Sequence, residues 1–230
     1  MTTKNKKTLF ASLAGILILL VIGGIGCSIL PTAMQSKIDR VEFDANEKMS
    51  ECGDTRLHYS VGTDYWRTGL RGLEPVKLLV SKGADVHAKN SRGWTPLRAA
   101  VSTARQYQDI EIVRFLVSSG ADVNTRCERG ITPLHIAVIM ENRELIELLV
   151  FKGADVNTED TGGLTPLHWA VAGLYAVDRP EVRYPNVEIA KFLVSAGADV
   201  NARNNDGKTP LDTARENGHT VAVEFLTSIR

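Results

Sequence analysis

The sequence predicts an all-α solenoid of about five helix-turn-helix units, each followed by a projecting β-hairpin, with one hydrophobic helix ahead of them. Three observations carry this. A nine-residue segment recurs five times: "GDTRLHYSV" at 53, "GWTPLRAAV" at 93, "GITPLHIAV" at 130, "GLTPLHWAV" at 163 and "GKTPLDTAR" at 207. A second segment follows the first four, as "VSKGADVHA", "VSSGADVNT", "VFKGADVNT" and "VSAGADVNA". An uncharged apolar run, Leu9 to Leu30, precedes them all.

The apolar run has 22 residues. That is close to the roughly 20 needed to span a bilayer as a helix, and longer than the roughly 7–15 of a signal-peptide core. Lys4, Lys6 and Lys7 precede it, and no further charge appears until Lys37. Basic residues on that flank stay cytoplasmic, which sends residues 31–230 across the membrane. "GGIGC" supplies a second reading, because it resembles a bacterial lipobox in which Cys27 is lipidated and becomes the new N-terminus. Gly26 fits that motif; Gly24, where Leu is commonest, fits it poorly. A single-pass anchor and a cleaved lipoprotein signal both stand. The expected division is 1–30 anchor or signal, 31–49 linker and 50–230 repeat domain, the last on the extracytoplasmic side.

Each repeat carries its own punctuation. Thr95, Thr132, Thr165 and Thr209 suit the N-cap of a first helix, and Pro96, Pro133, Pro166 and Pro210 its first position, where a missing N–H is harmless. Gly83, Gly120, Gly153 and Gly197 suit the left-handed residue that ends a second helix. Eleven residues before those glycines stand Gly72, Asp109, Asn142 and Asn186, which predict the second-helix N-caps. Glu74, Glu111, Glu144 and Glu188 follow in the first turn, where acidic side chains favour the helix dipole. Units of this size cannot bury their apolar faces singly, so about three or more must stack. Repeat one departs most, with Arg56 for Pro and Ser60 for Ala, as suits a terminal cap. Repeat five closes the stack by turning Val223, Phe225 and Leu226 inward.

These blocks resemble the ankyrin repeat, whose signature is a TPLH-type helix start and a G-A-D-V-N exit, over about residues 50–230. The resemblance implies an ankyrin-repeat solenoid that binds a protein partner and has no enzymatic activity. It also implies that His58, His135 and His168 hydrogen-bond neighbouring turns, with Arg98 and Asp212 bonding differently in the other repeats. Family members usually bind through hairpin tips and the concave face of first helices. The tips here carry Lys89, Arg92, Arg126, Glu128, Arg129, Glu159, Asp160, Arg203 and Asp206, mixed in sign.

Spacing sets this chain apart. From each first-helix threonine to the exit glycine the spans are 28, 25, 21 and 32 residues, whereas glycine to the next threonine is 12 every time. Relative to repeat three, the additions are 7, 4 and 11 residues, all between the two helix starts. "STARQYQD" at 102–109 has no Gly or Pro and predicts an extended first helix; the other two read as loops. Tyr65, Trp66, Tyr107, Tyr175 and Tyr184 lie in these additions, with Arg67, Arg71, Arg105, Arg179 and Arg183. Tyr, Trp and Arg dominate interface hot spots. The additions are expected to wall a notch over repeat three, with Ile139 and Met140 in its floor. The alternative is that the aromatics only pack the loops onto the scaffold.

Other chemistries find little support. Net charge is zero and the basic residues do not cluster, which argues against nucleic acid. Histidines one repeat apart sit about 8–10 Å from one another and cannot share a zinc ion. Cys52 and Cys127 are two stacking steps apart, too far for a disulfide. No cofactor or metal is expected. A secreted or cytosol-facing effector-like protein is the alternative within binding, and an enzyme built on the insertion loops is the rival of another class.

Overall fold

In the computed structural model the described residues are 44–61, 72–104, 107–173 and 186–229, with the backbone alone at 107 and 108. All that follows concerns the compact unit of Ala45–Tyr65 and Leu70–Arg230. Its described residues form ten helices: α1 Arg56–Ser60, α2 Leu73–Ser81, α3 Pro96–Thr103, α4 Tyr107–Ser118, α5 Pro133–Ile139, α6 Arg143–Phe151, α7 Pro166–Ala172, α8 Val187–Ser195, α9 Pro210–Glu216 and α10 Thr220–Ser228. They pair as α1/α2 through α9/α10, one pair per repeat, and the first helices stack in chain order.

Recurring residues build the core because each repeat presents the same face. Leu57, Leu97, Leu134, Leu167 and Leu211 form one buried column along the first helices. Leu116, Leu149, Leu193 and Leu226 form another along the second helices. Full burial of each contributes about 1.5–3 kcal/mol. Ala100, Ala137, Ala170 and Ala214 are buried between helices, where a larger side chain would hold them apart.

The caps follow the sequence closely. The hydroxyls of Thr95, Thr132, Thr165 and Thr209 accept from the N–H three residues on, each with Pro in the first turn. Asn142 and Asn186 accept from Leu145 N–H and Ile189 N–H. Asp109 departs from the expectation. Helix α4 begins at Tyr107, so Asp109 lies inside its first turn, not at its cap. The first helix gains only one residue over its counterparts: α3 has 8 residues against 7 in α5, α7 and α9, ending at Thr103, and Ala104 leaves helical geometry at ψ 82°. The physical reason lies in Ser102 and Thr103, whose hydroxyls bond back to Ala99 and Ala100 carbonyls. Such back-bonding competes with continued helix. Asn142 of the next repeat then donates its side-chain amide to the freed Ala104 carbonyl. The extra residues lengthen the second helix, 12 residues in α4 against 9 in α2, α6, α8 and α10.

The hairpins are tighter than their β-hairpin description. No strand occurs among the described residues beyond the isolated bridge of Lys48 and Thr55. Each tip closes on two backbone bonds: the N–H of Asn90, Cys127, Asp160 or Asn204 donates to the carbonyl of Trp94, Ile131, Leu164 or Lys208, and its own carbonyl accepts from Gly93, Gly130, Gly163 or Gly207. At the far end Ala222 and Leu226 are fully buried, but Val223 and Phe225 are only half-buried and Val221 is exposed. The inward face of the closing helix is therefore narrower than expected.

Asparagine clips tie one hairpin to the next exit loop. Asn124 donates to the Gly153 carbonyl and accepts from Asp155 N–H, and Asn157 does the same with Gly197 and Asp199. Asn46 makes both bonds with Gly83 and Asp85, which carries the ladder back ahead of residue 50. His87 holds this column in the hairpin after repeat one, and among the described residues it makes no such pair of bonds with Gly120 and Asp122. Its replacement, His87→Asn, should therefore stabilise the domain by about 1 kcal/mol, two neutral hydrogen bonds being partly offset by side-chain ordering. Urea unfolding of the two proteins side by side measures this.

Candidate functional site

The notch expected over repeat three rests on residues that the structure reaches only in part. Tyr65, Trp66, Arg67, Tyr175, Arg179, Arg183 and Tyr184 lie outside the described residues, as do Cys27, Arg71 and Arg105, and Tyr107 is described only as the first residue of α4. Ile139 and Met140 are described: Ile139 is the last residue of α5, Met140 is its C-cap, and both are half-buried. The turn they lead into holds Glu141 at φ 52°, the one non-glycine with positive φ among the described residues. Repeat five places Gly218, at φ 71°, in the corresponding turn. A side chain in this left-handed conformation costs about 1–2 kcal/mol. The short turn of repeat three is thus strained beside two half-buried apolar residues.

The hairpin tips offer a second surface. Lys89, Arg92, Arg126, Glu128, Arg129, Glu159, Arg203 and Asp206 are exposed. Several work within the scaffold: Arg126 donates to the Glu159 carbonyl, and Arg203 donates to the Gly207 carbonyl. Asp160 is not a free surface charge. Its Oδ1 accepts from Gly162 N–H and Leu164 N–H, and its Oδ2 from the Trp169 indole. Trp169 is buried and packs edge-on against His135, with ring centroids 5.0 Å apart.

His58, His135 and His168 have one arrangement. In each, Nδ1 accepts from the backbone N–H of the capping threonine, at 3.2, 3.3 and 3.2 Å. Nε2 meets a backbone carbonyl of the following hairpin, Trp94, Leu164 or Lys208, at 2.9, 3.2 and 3.1 Å. An N–H can only donate and a carbonyl only accept, so each ring must be neutral with its proton on Nε2. Burial holds all three below the ordinary histidine pKa, His135 at about 4, against a weaker upward pull from the carbonyl bonds. These rings cap helices and link repeats; their geometry is not that of a catalytic base.

Arg98 holds the histidine column in repeat two and cannot accept from Thr95 N–H. It is buried, 7% exposed, with its guanidinium carbon 3.6 Å from the centre of the Trp94 ring. Arg92 approaches the same ring at 5.5 Å. A third kind of link is also missing from this seam. Ser91 N–H donates to Cys52 O, Thr161 N–H to Arg129 O and Asn205 N–H to Gly162 O, from tip to tip. Among the described residues no equivalent bond joins Glu128 N–H to Arg92 O. The hairpins after repeats one and two thus lack the asparagine clip, the histidine link and the tip bond together. Neither Arg98 nor this seam was legible as a site beforehand, although Arg in a His column and His in an Asn column were both visible.

Residues 17–127, 68–160 and 103–179 match a model of ankyrin repeats in three copies, and residues 162–205 match a single ankyrin repeat. Protein phosphatase 1 regulatory subunit 27 of Homo sapiens is 55% identical over 38 residues, 16% of this chain and 23% of that protein. The Mus musculus protein of the same name matches with the same identity and coverage. The chain therefore spans about a quarter of the length of these curated relatives.

Proposed function

Since this chain belongs to the ankyrin-repeat family, whose stacked repeats form protein–protein interaction modules, we propose that it is a membrane-tethered binding protein for a protein partner outside the cytoplasm. The observation that carries the binding surface is the turn after α5. Non-glycine residues persist in the left-handed region where the surroundings over-determine them, and such strain gathers at ligand clamps. Here Glu141 is strained beside Ile139 and Met140, in the one full repeat that carries no insertion. The insertions of repeats one, two and four carry Tyr65, Trp66, Arg67, Tyr107, Tyr175, Arg179, Arg183 and Tyr184 in the sequence, and in a regular stack such insertions would emerge along one edge. The relatives named as phosphatase regulatory subunits agree with a regulatory binding role in place of catalysis.

Tethering rests on the 22-residue apolar run behind three lysines, as a single-pass anchor or through a lipid on Cys27. Among the described residues no helix is long and apolar enough to cross a membrane. Photo-crosslinking in membranes tests both halves of the reading. A crosslinked protein partner should be captured by the wild-type chain and lost in the triple variant Tyr175→Ala, Arg179→Ala, Tyr184→Ala, with an unchanged unfolding midpoint. Crosslinks that survive in the triple variant would sink the notch as the binding surface. Recovery of the chain in the soluble fraction would sink the tether.

A further inference from the structure

Repeat two breaks a rule that the other four keep at the start of the first helix. In repeats one, three and four, the backbone N–H and the hydroxyl of the capping threonine both meet one atom, Nδ1 of His58, His135 or His168. Repeat five does the same with a carboxylate: the N–H and the hydroxyl of Thr209 both donate to Oδ2 of Asp212. Thr95 has no such acceptor, because Arg98 holds the column and a guanidinium only donates. Thr95 is buried, and its Oγ1 accepts from Arg98 backbone N–H. Among the described residues nothing accepts from Thr95 N–H or from its hydroxyl proton.

Arg98 adds charge at the same place. Its guanidinium carbon lies 3.6 Å from the centre of the Trp94 ring, so the side chain runs back over the residue just ahead of the cap. Arg98 is 7% exposed, and its Nε and Nη1 are buried with no hydrogen-bond partner. No carboxylate lies within ion-pair distance of it among the described residues. Burying a charge is costly unless it is paired. Helix α3 has eight residues, and its N-terminus adds a partial positive charge. Two donors of Thr95 and two of Arg98 are thus gathered where every sister repeat keeps an acceptor.

We propose that repeat two binds a chloride ion at this position, held by Thr95 N–H, the Thr95 hydroxyl and the Arg98 guanidinium. The ion is monatomic because one nitrogen or one oxygen fills the same role in each sister repeat. It is an anion and not water because all the groups facing it are donors and the guanidinium is charged. A water molecule brings two protons that need acceptors of their own and leaves the charge unpaired; an anion accepts from every donor and neutralises it. Chloride then does for α3 what the histidines do for α1, α5 and α7 and Asp212 does for α9.

The full chain in non-ionic detergent is compared in sodium chloride and in sodium gluconate of equal ionic strength, gluconate being too large to take the place of one atom. Chloride at about ten times its dissociation constant should raise the folded-to-unfolded ratio about ten-fold, read from urea midpoints. The chloride NMR line should broaden in proportion to protein, a readout that does not depend on unfolding. Arg98→His, which restores the acceptor of three sister repeats, should abolish both effects. Arg92→Gln, which removes the exposed arginine near the same ring, should leave both unchanged. Equal wild-type midpoints in the two salts overturn the proposal and give the position to water. A chloride effect that survives Arg98→His, or one lost with Arg92→Gln, also overturns it, because either places the ion on the surface.

Discussion

Taking the repeat domain from pH 8 to pH 4 should remove about 3 kcal/mol of stability through His135 alone, given its folded pKa of about 4 against an ordinary 6.5. The sign follows from which form the fold accepts. The folded ring is held neutral, so the unfolded chain binds the proton first. Stability is fully present above about pH 6.5 and is lost as pH falls toward the folded value. Burial is the main cause, and a proton on Nδ1 would in addition face the Thr132 N–H that now donates to it. Asp160 pulls the pKa up and Arg126 pushes it down, both less than burial does. His58 and His168 move the same way for the same reason, so their losses add in the same window. Urea midpoints between pH 8 and 4 measure the effect. The variant His135→Gln, weaker at pH 8, should show a shallower fall between 6.5 and 4; an equal fall would place the acid sensitivity elsewhere.

Gly163→Ala should cost about 3 kcal/mol, whereas Gly207→Ala in the same column should cost about 1. Both residues are left-handed, at φ 74° and 75°, so the backbone strain is shared. They differ in what the next hairpin brings against them. A Cβ on Gly163 would stand 2.7 Å from the Asn205 backbone nitrogen and from its side-chain oxygen, whereas one on Gly207 meets nothing within 4 Å. Overpacking at Gly163 would also pry apart the bonds from Asn205 to Gly162 O and Thr161 O. Thermal unfolding of the two variants decides the matter, and equal losses would show that strain, not hairpin stacking, sets the cost.

Local rules carried the reading of the fold a long way. A threonine before proline, an asparagine eleven residues before a glycine, and a leucine recurring in register each act within about one helical turn, and each appears where expected. Asp109 and the end of α3 were misread because the deciding groups lie elsewhere. Ser102 and Thr103 turn their hydroxyls onto their own helix, and Asn142, 38 residues later, holds the Ala104 carbonyl. The clips of Asn46, Asn124 and Asn157 escaped notice for the same reason, since their partners lie some 30 to 40 residues away. Of the candidate site, Ile139 and Met140 were legible as an apolar helix end. The strain at Glu141 was not, because nothing in the residue type announces a left-handed backbone.

The bare seam between the hairpins after repeats one and two bears on how the domain comes apart. In a solenoid each repeat is held only by its neighbours, so stability is a chain of interfaces and not one global quantity. Where three polar links are missing at a single interface, what remains is apolar stacking of α1 with α3 and α2 with α4 on one side, and α3 with α5 on the other, with scattered polar contacts such as Thr103 to the Val61 carbonyl and Asn142 to the Ala104 carbonyl. Sub-global opening then concentrates there, and amide hydrogens of the first two repeats exchange as a block at lower free energy than those of repeats three to five. The strained turn of Glu141 sits in the more cooperative block. A partner seated on that turn would meet a rigid platform, while the first two repeats keep the freedom to breathe.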